Sequence, residues 1–134
     1  MSYYPKQIWF YIQNISTGLV LDIKHNGDGE VITYPCHGGD NQLFRYDPAT
    51  QMIHSKMNGL VLDINPKDNR VIMYHPHGGL NQKWIFDSDN TIRSHTGKVM
   101  DVAKKERLFG KSTGEMIAYP KHGGPNQQFR RVYV

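Results

Sequence analysis

One hexapeptide, His-Gly-Gly-x-Asn-Gln, occurs three times in this chain, at residues 37–42, 77–82 and 122–127. Asp40, Leu80 and Pro125 fill the variable place. Each copy is followed, two positions after its Gln, by an aromatic residue: Phe44, Trp84 and Phe129. Each is preceded, three positions before its His, by a tyrosine: Tyr34, Tyr74 and Tyr119. Asn41 and Asn81 are 40 positions apart, and Asn81 and Asn126 are 45 apart. A chain that repeats itself at this period is built from like units that bury their apolar faces against one another.

The repeat extends beyond the hexapeptide. Gly18-Leu19-Val20-Leu21-Asp22-Ile23 returns as Gly59-Leu60-Val61-Leu62-Asp63-Ile64, and in weaker form as Gly97-Lys98-Val99-Met100-Asp101-Val102. Leu19, Leu21 and Ile23 alternate with Val20 and Asp22, which is strand periodicity. Upstream lie Trp9 to Ile12, Met52 to Ser55 and Thr91 to Ser94, which read as further strands. Between strands stand turn formers: Asn26-Gly27-Asp28-Gly29, Asn65-Pro66-Lys67-Asp68-Asn69 and the paired glycines. No stretch sustains a helical period. Each unit therefore predicts four short strands, the last carrying Asn-Gln-x-aromatic, and three units predict about twelve. Three units are too few for a propeller, and closing them into a three-fold barrel leaves no exposed sheet edge.

Composition narrows the function. The 134 residues suit one domain, with repeats at about 7–47, 48–88 and 89–134. Charged residues make up 21% and hydrophobic ones 38%, so disorder is not indicated, and no apolar run reaches transmembrane length. The first residues carry no signal-like apolar run, and a single cysteine, Cys36, excludes an internal disulfide. Both point to a cytoplasmic protein or one released without a signal peptide. The net charge of +4 is spread along the chain and reads as solvated surface.

Three Gln-x-aromatic motifs at this spacing resemble the β-trefoil of ricin B-chain-like (R-type) lectins, and the His-Gly-Gly-x-Asn-Gln segments are similar to those of small invertebrate galactose-binding lectins. The resemblance spans about residues 7–134. It implies an all-β trefoil of three pseudo-symmetric repeats and a non-enzymatic, multivalent agglutinin. Its partners would be galactose-containing glycans or glycoconjugates, including those of cell surfaces.

Sugar chemistry explains the residue types. A hexose offers hydroxyls, which need partners when buried, and a C–H face, which packs on an aromatic ring. A carboxylate accepts strong hydrogen bonds, and an Asn amide both donates and accepts, so it can bridge a hydroxyl and the carboxylate. Each repeat supplies such a set: Asp22, Tyr34, His37 and Asn41; Asp63, Tyr74, His77 and Asn81; Asp101, Tyr119, His122 and Asn126. The resemblance assigns hydroxyl binding to Asp and Asn and ring stacking to the aromatic. The competing readings are a strand-end Asp bonded to local backbone and a cross-strand packing Tyr. Strand parity does not separate the two for Tyr34. Gln42, Gln82 and Gln127 are expected to satisfy nearby backbone and support the Asp, and Phe44, Trp84 and Phe129 to fill the core from the same strand face.

The third repeat departs from the others. Asp101 and Tyr119 are 18 positions apart, against 12 and 11 in the first two, and a charged loop from Lys104 to Thr113 fills the difference. It is expected to extend, gate or block the third site. Other chemistries find little support. Gly110-Lys111-Ser112-Thr113 lacks the upstream glycine of a phosphate-binding loop. Cys36 has no counterpart beside His77 or His122. Seven histidines raise the question of metal, but His37, His77 and His122 belong to three separate loops, so no metal and no cofactor is expected. The alternative function is a trefoil that binds a polyanion or a protein. Nucleic acid is disfavoured, because each predicted pocket holds a carboxylate that repels phosphate.

Overall fold

The computed structural model describes residues 8–25, 29–108 and 111–134, with the backbone alone for 104–108 and 111–112. Asn26, Gly27, Asp28, Phe109 and Gly110 lie outside the described residues. The described residues form twelve strands: β1 (Phe10–Asn14), β2 (Val20–Ile23), β3 (Val31–Tyr34), β4 (Phe44–Asp47), β5 (Met52–Ser55), β6 (Val61–Ile64), β7 (Val71–Tyr74), β8 (Trp84–Phe86), β9 (Ile92–Ser94), β10 (Val99–Leu108), β11 (Lys111–Tyr119) and β12 (Phe129–Tyr133).

Six of these make a barrel. Antiparallel ladders join β12 to β1, β1 to β4, β4 to β5 and β8 to β9. The two remaining seams are held by backbone bonds at three-fold related places, Trp84 N–H to Gln51 O (2.8 Å) and Phe129 N–H to Asn90 O (2.8 Å). The other six strands form three hairpins, β2–β3, β6–β7 and β10–β11. They meet in a ring: β3 pairs β11, Glu30 bridges to Ile72, and Arg70 bridges to Ile117. At that junction Arg70 lies 3.2 Å from Glu30 and 2.5 Å from Glu115, so residues of three hairpins share one guanidinium. This is the expected all-β trefoil with pseudo-three-fold repeats.

The core is layered by the repeat. Ile12, Ile53 and Ile92 form one set, Leu21, Leu62 and Met100 a second, and Phe44, Trp84 and Phe129 a third, all buried. The aromatic of each Gln-x-aromatic motif is therefore a core residue, as its spacing predicts; burying one such side chain contributes about 1.5–3 kcal/mol. Trp84 also donates its indole N–H to Leu62 O at 3.0 Å.

Two expectations are corrected. Asn and Gln of the motif do not lie on the fourth strand; they sit in short 3-10 turns, Asp40–Gln42, Leu80–Gln82 and Pro125–Gln127, and the strand begins at the aromatic. The turn closes on the preceding glycine, with Gln42 N–H bonded to Gly39 O at 3.0 Å, and so aims Gln inward without strand parity. The stretch from Lys104 to Thr113 is not an open loop either. β10 and β11 continue their ladder to Leu108↔Lys111, past a register shift between Val102 and Lys104. Backbone pairing across a long ribbon supplies hydrogen bonds that a loop would leave to water.

Candidate functional site

The three predicted residue sets converge, each within its own repeat. The carboxylate is the centre. Asp22, Asp63 and Asp101 lie on β2, β6 and β10 and are only 5%, 3% and 3% exposed. In the second repeat Asn81 donates to Asp63 Oδ1 at 2.6 Å and Gln82 to Asp63 Oδ2 at 2.8 Å. The corresponding distances are 3.1 and 2.8 Å at Asp22, and 2.9 and 2.9 Å at Asp101. A buried carboxylate needs such donors, since charge removed from water without partners is strongly unfavourable. At Asp22 burial still raises the pKa above the ordinary value, against the lowering effects of the Gln42 bond and His37.

Gln ties the carboxylate to the loop. Gln82 Oε1 accepts the N–H groups of His77 (2.9 Å) and Gly78 (3.1 Å), while its amide donates to His75 O (3.0 Å) as well as to Asp63. Gln127 repeats all four bonds, and Gln42 makes the equivalents to His37, Pro35 and Asp22. Gln is thus the strut that both supports Asp and folds the His-Gly-Gly segment.

The histidine tautomer follows from its partners. His77 Nδ1 accepts the Gly79 N–H at 3.0 Å, so the neutral ring carries its hydrogen on Nε2. That nitrogen lies 3.6 Å from Asp63 Oδ2. His37 and His122 do the same, with Nδ1 distances of 3.1 and 3.0 Å and Nε2 distances of 3.4 and 3.6 Å. These long contacts leave the Nε2–H able to reach a ligand oxygen as well.

Both glycines of the motif have a reason. Gly38, Gly78 and Gly123 have φ of 82°, 76° and 76°, in the left-handed region that side chains disfavour. The second glycine has ordinary φ, but a Cβ on Gly79 would stand 2.7 Å from His77 Cε1 and 2.8 Å from Asn81 Oδ1. The site's own side chains occupy the space a side chain there would need.

Asn differs from expectation in one respect. Its amide nitrogen also donates to the backbone, Asn81 to Ile64 O and Asn41 to Ile23 O, both at 3.1 Å. Both amide hydrogens are spent on the protein, so Asn offers a ligand only its oxygen. In the third repeat the matching bond, Asn126 to Val102 O, stretches to 3.5 Å beside the register shift of β10. The departure of the third repeat thus reaches its site.

Tyr34, Tyr74 and Tyr119 end β3, β7 and β11 and stand edge-on to the histidine, with ring centroids 6.1, 6.1 and 6.3 Å apart. Tyr74 and Tyr119 are 44% and 50% exposed, so they are not packing residues of the core. In the second repeat Tyr74, His77, Asn81 and Asp63 line a cleft of about 460 Å³, walled by Ile72, Pro66 and Lys67. His75, which sequence reasoning did not select, packs on Tyr74 with ring centroids 4.1 Å apart. The signal was present: Pro35 and Pro120 hold the same place in the other repeats. Among the described residues, no three His, Cys, Asp or Glu side chains gather closely enough to hold a metal ion.

Comparison with known proteins places the fold and the family. A designed three-fold symmetric protein, ThreeFoil, is 30% identical and superposes with a TM-score of 0.76, covering 94% of this chain and 99% of its own. The C-terminal half of an earthworm R-type lectin, solved in complex with GalNAc, is 27% identical with a TM-score of 0.76, covering 95% and 99%. A ribosome-inactivating protein of Sambucus nigra, SNAIf, is 40% identical over 68 residues; the match spans half of this chain and 11% of that protein. The family model described as the ricin-type beta-trefoil lectin domain matches residues 8–129, and the chain belongs to that carbohydrate-binding family.

Proposed function

We propose that the protein binds galactose-type glycans through up to three sites, one per repeat, as a non-enzymatic lectin. The observation that carries this reading is the same constellation built three times: a buried Asp held by Asn and Gln, a histidine of fixed tautomer, and a tyrosine beside them. The earthworm lectin's GalNAc complex supports it.

The available lone pairs suggest how a sugar is held. Asp63 Oδ2 already receives Gln82 and faces His77, whereas Oδ1 receives only Asn81. One hydroxyl therefore donates to Oδ1 and its neighbour to the Asn81 oxygen, while His77 Nε2–H turns to a hydroxyl oxygen. Two adjacent acceptors suit the 3- and 4-hydroxyls of galactose, and the axial 4-hydroxyl leaves a continuous C–H face for Tyr74. Glucose, with an equatorial 4-hydroxyl, leaves one group unmatched, at about 1–3 kcal/mol. Glycoside hydrolysis normally uses two carboxyl groups across the scissile bond, and among the described residues one acid, Asp63, lines the second cleft.

Each site alone is expected to bind with a dissociation constant near millimolar, about −4 kcal/mol, and three on one body to gain about 10²–10⁴ on a dense glycan surface. Calorimetry with lactose and glucose, on the native chain and on Tyr34→Ala, Tyr74→Ala and Tyr119→Ala, tests the reading. Each variant should remove about one third of the lactose sites while the fold is kept. Equal binding of glucose and lactose would refute the galactose reading. Elution from a glycan matrix by salt but not by galactosides would favour a polyanion binder.

A further inference from the structure

The barrel end away from the hairpin ring carries a second kind of site. The β4–β5 turn, the β8–β9 turn and the paired residues Phe10 and Tyr133 all lie at this end. The inward positions nearest it are three-fold related: Tyr46 on β4, Phe86 on β8 and Arg131 on β12, each two residues after a core aromatic. Two repeats place a ring there and the third places a guanidinium. Arg131 Cζ lies 4.2 Å from the Phe86 ring centroid and 5.9 Å from that of Phe10. Phe86 is itself set edge-on to Tyr46 and Phe10. The guanidinium thus sits over the Phe86 ring in a cation–π contact that limits its freedom.

The guanidinium N–H groups of Arg131 have no protein acceptor among the described residues. Arg70 and Arg93 are each bound to carboxylates, and Arg130 donates to Gln13 at 2.8 Å, but Arg131 makes no such bond. Beside it opens a cleft of about 360 Å³, lined by Arg130, Asn90, Thr91, Asp87 and the half-exposed Tyr133. Asp87, the one acid lining the cleft among the described residues, is clasped by Arg93 at 2.8 and 3.3 Å, so its charge is already met. What remains is two arginines, one of them anchored over an aromatic ring.

We propose that this cleft binds an oxyanion, the carboxylate or sulfate group of a small organic acid, with Arg131 as its bidentate partner and Tyr133 beside its carbon frame. The guanidinium fork matches two oxygens of such a group, and its prior placement over Phe86 reduces the freedom lost on binding. The site is separate from the three sugar sites, which lie on the hairpins and 3-10 turns, and does not rest on their assignment.

The test is a titration followed by NMR on the intact protein, reading the Arg131 Nε–H and the Asn90 and Thr91 amides. Sodium sulfate and sodium acetate are added in separate arms, each against sodium chloride at equal ionic strength. The expected result is saturable shifts with sulfate, acetate or both, absent with chloride; the arm that saturates identifies the class. Arg131→Gln should weaken binding at least tenfold and Arg131→Lys several-fold, because lysine keeps the charge and loses the fork. Lactose binding should be unchanged in both. Shifts that follow ionic strength alike in all three salts would overturn the proposal. So would saturation that survives Arg131→Gln, or equal affinity in Arg131→Lys.

Discussion

Gln82→Met removes the polar strut of the second repeat while keeping the length and approximate bulk of the side chain. Gln82 is fully buried and makes four hydrogen bonds, to Asp63, His75, His77 and Gly78. The bond to the carboxylate is worth about 1.5–3 kcal/mol and each of the three neutral ones about 1 kcal/mol, together about 4.5–6 kcal/mol. The His77 and Gly78 N–H groups lie where water can replace the lost acceptor, which lowers the expected loss to about 3–4 kcal/mol. That is a large share of the roughly 5–15 kcal/mol that holds a domain of this kind together. In urea, with a slope of about 2 kcal/mol per molar, the unfolding midpoint should fall by about 1.5–2 M. Gln128→Met is the control: Gln128 makes one long bond, 3.4 Å to Gly123 O, and its loss should stay within about 0.5 kcal/mol. A loss below about 1 kcal/mol at Gln82 would show that the strut does not carry the loop and the carboxylate.

Gly79→Ala has an allowed φ of −68°, but its Cβ would push on His77 and on Asn81, whose bonds hold Asp63 and Ile64 O, so it should lower stability by about 1–3 kcal/mol and abolish sugar binding at the second site; lactose calorimetry paired with a melting curve checks both halves. Asp22 has a raised pKa in the fold, so it takes up its proton at a higher pH in the folded than in the unfolded chain: its contribution favours folding in acid and is lost as pH rises through the folded pKa. Ligand binding runs the other way, since the hydroxyls need the carboxylate, and NMR of the first site should show lactose released on acidification above the ordinary carboxylate pKa of 3.8; binding that persists at pH 3 would contradict this. Arg70→Ala leaves Glu30 and Glu115 facing each other at the hairpin junction and should lower stability by about 1 kcal/mol at low salt, with most of the loss recovered at 1 M salt; a salt-independent loss would point to packing instead.

Much of this molecule was legible because its information is written three times. The alternation of Leu19, Leu21 and Ile23, repeated at Leu60, Leu62 and Ile64, identifies strands that one copy would leave ambiguous. The phase of Asp22, Asp63 and Asp101 against the hexapeptide marks a site, and the structure brings those residues together. The placement of Gln was harder to read. Its direction is set by a 3-10 turn, and a three-residue turn leaves no periodicity to detect. The stretch from Lys104 to Thr113 reads differently for a related reason: charge suggests a loop, but β10 and β11 continue their backbone ladder to Leu108↔Lys111, and backbone pairing does not depend on which side chains the strands carry. The spent amide of Asn81 was beyond sequence altogether, since its second acceptor is a main-chain carbonyl.

Every polar bond described within a site closes inside a single repeat: Asp22 with Asn41 and Gln42, Asp63 with Asn81 and Gln82, Asp101 with Asn126 and Gln127. The core is organised the other way, each layer drawing one residue from every repeat. A change at one site is therefore local to that site, whereas a change in the layer of Ile12, Ile53 and Ile92 is felt by all three. Duplicated units joined in this manner can diverge in ligand preference one at a time without disturbing the shared scaffold. The His75 side chain against Tyr74 and the ribbon of the third repeat are two such private changes, and on the proposed reading they would let one small body present three non-identical sites in a fixed arrangement.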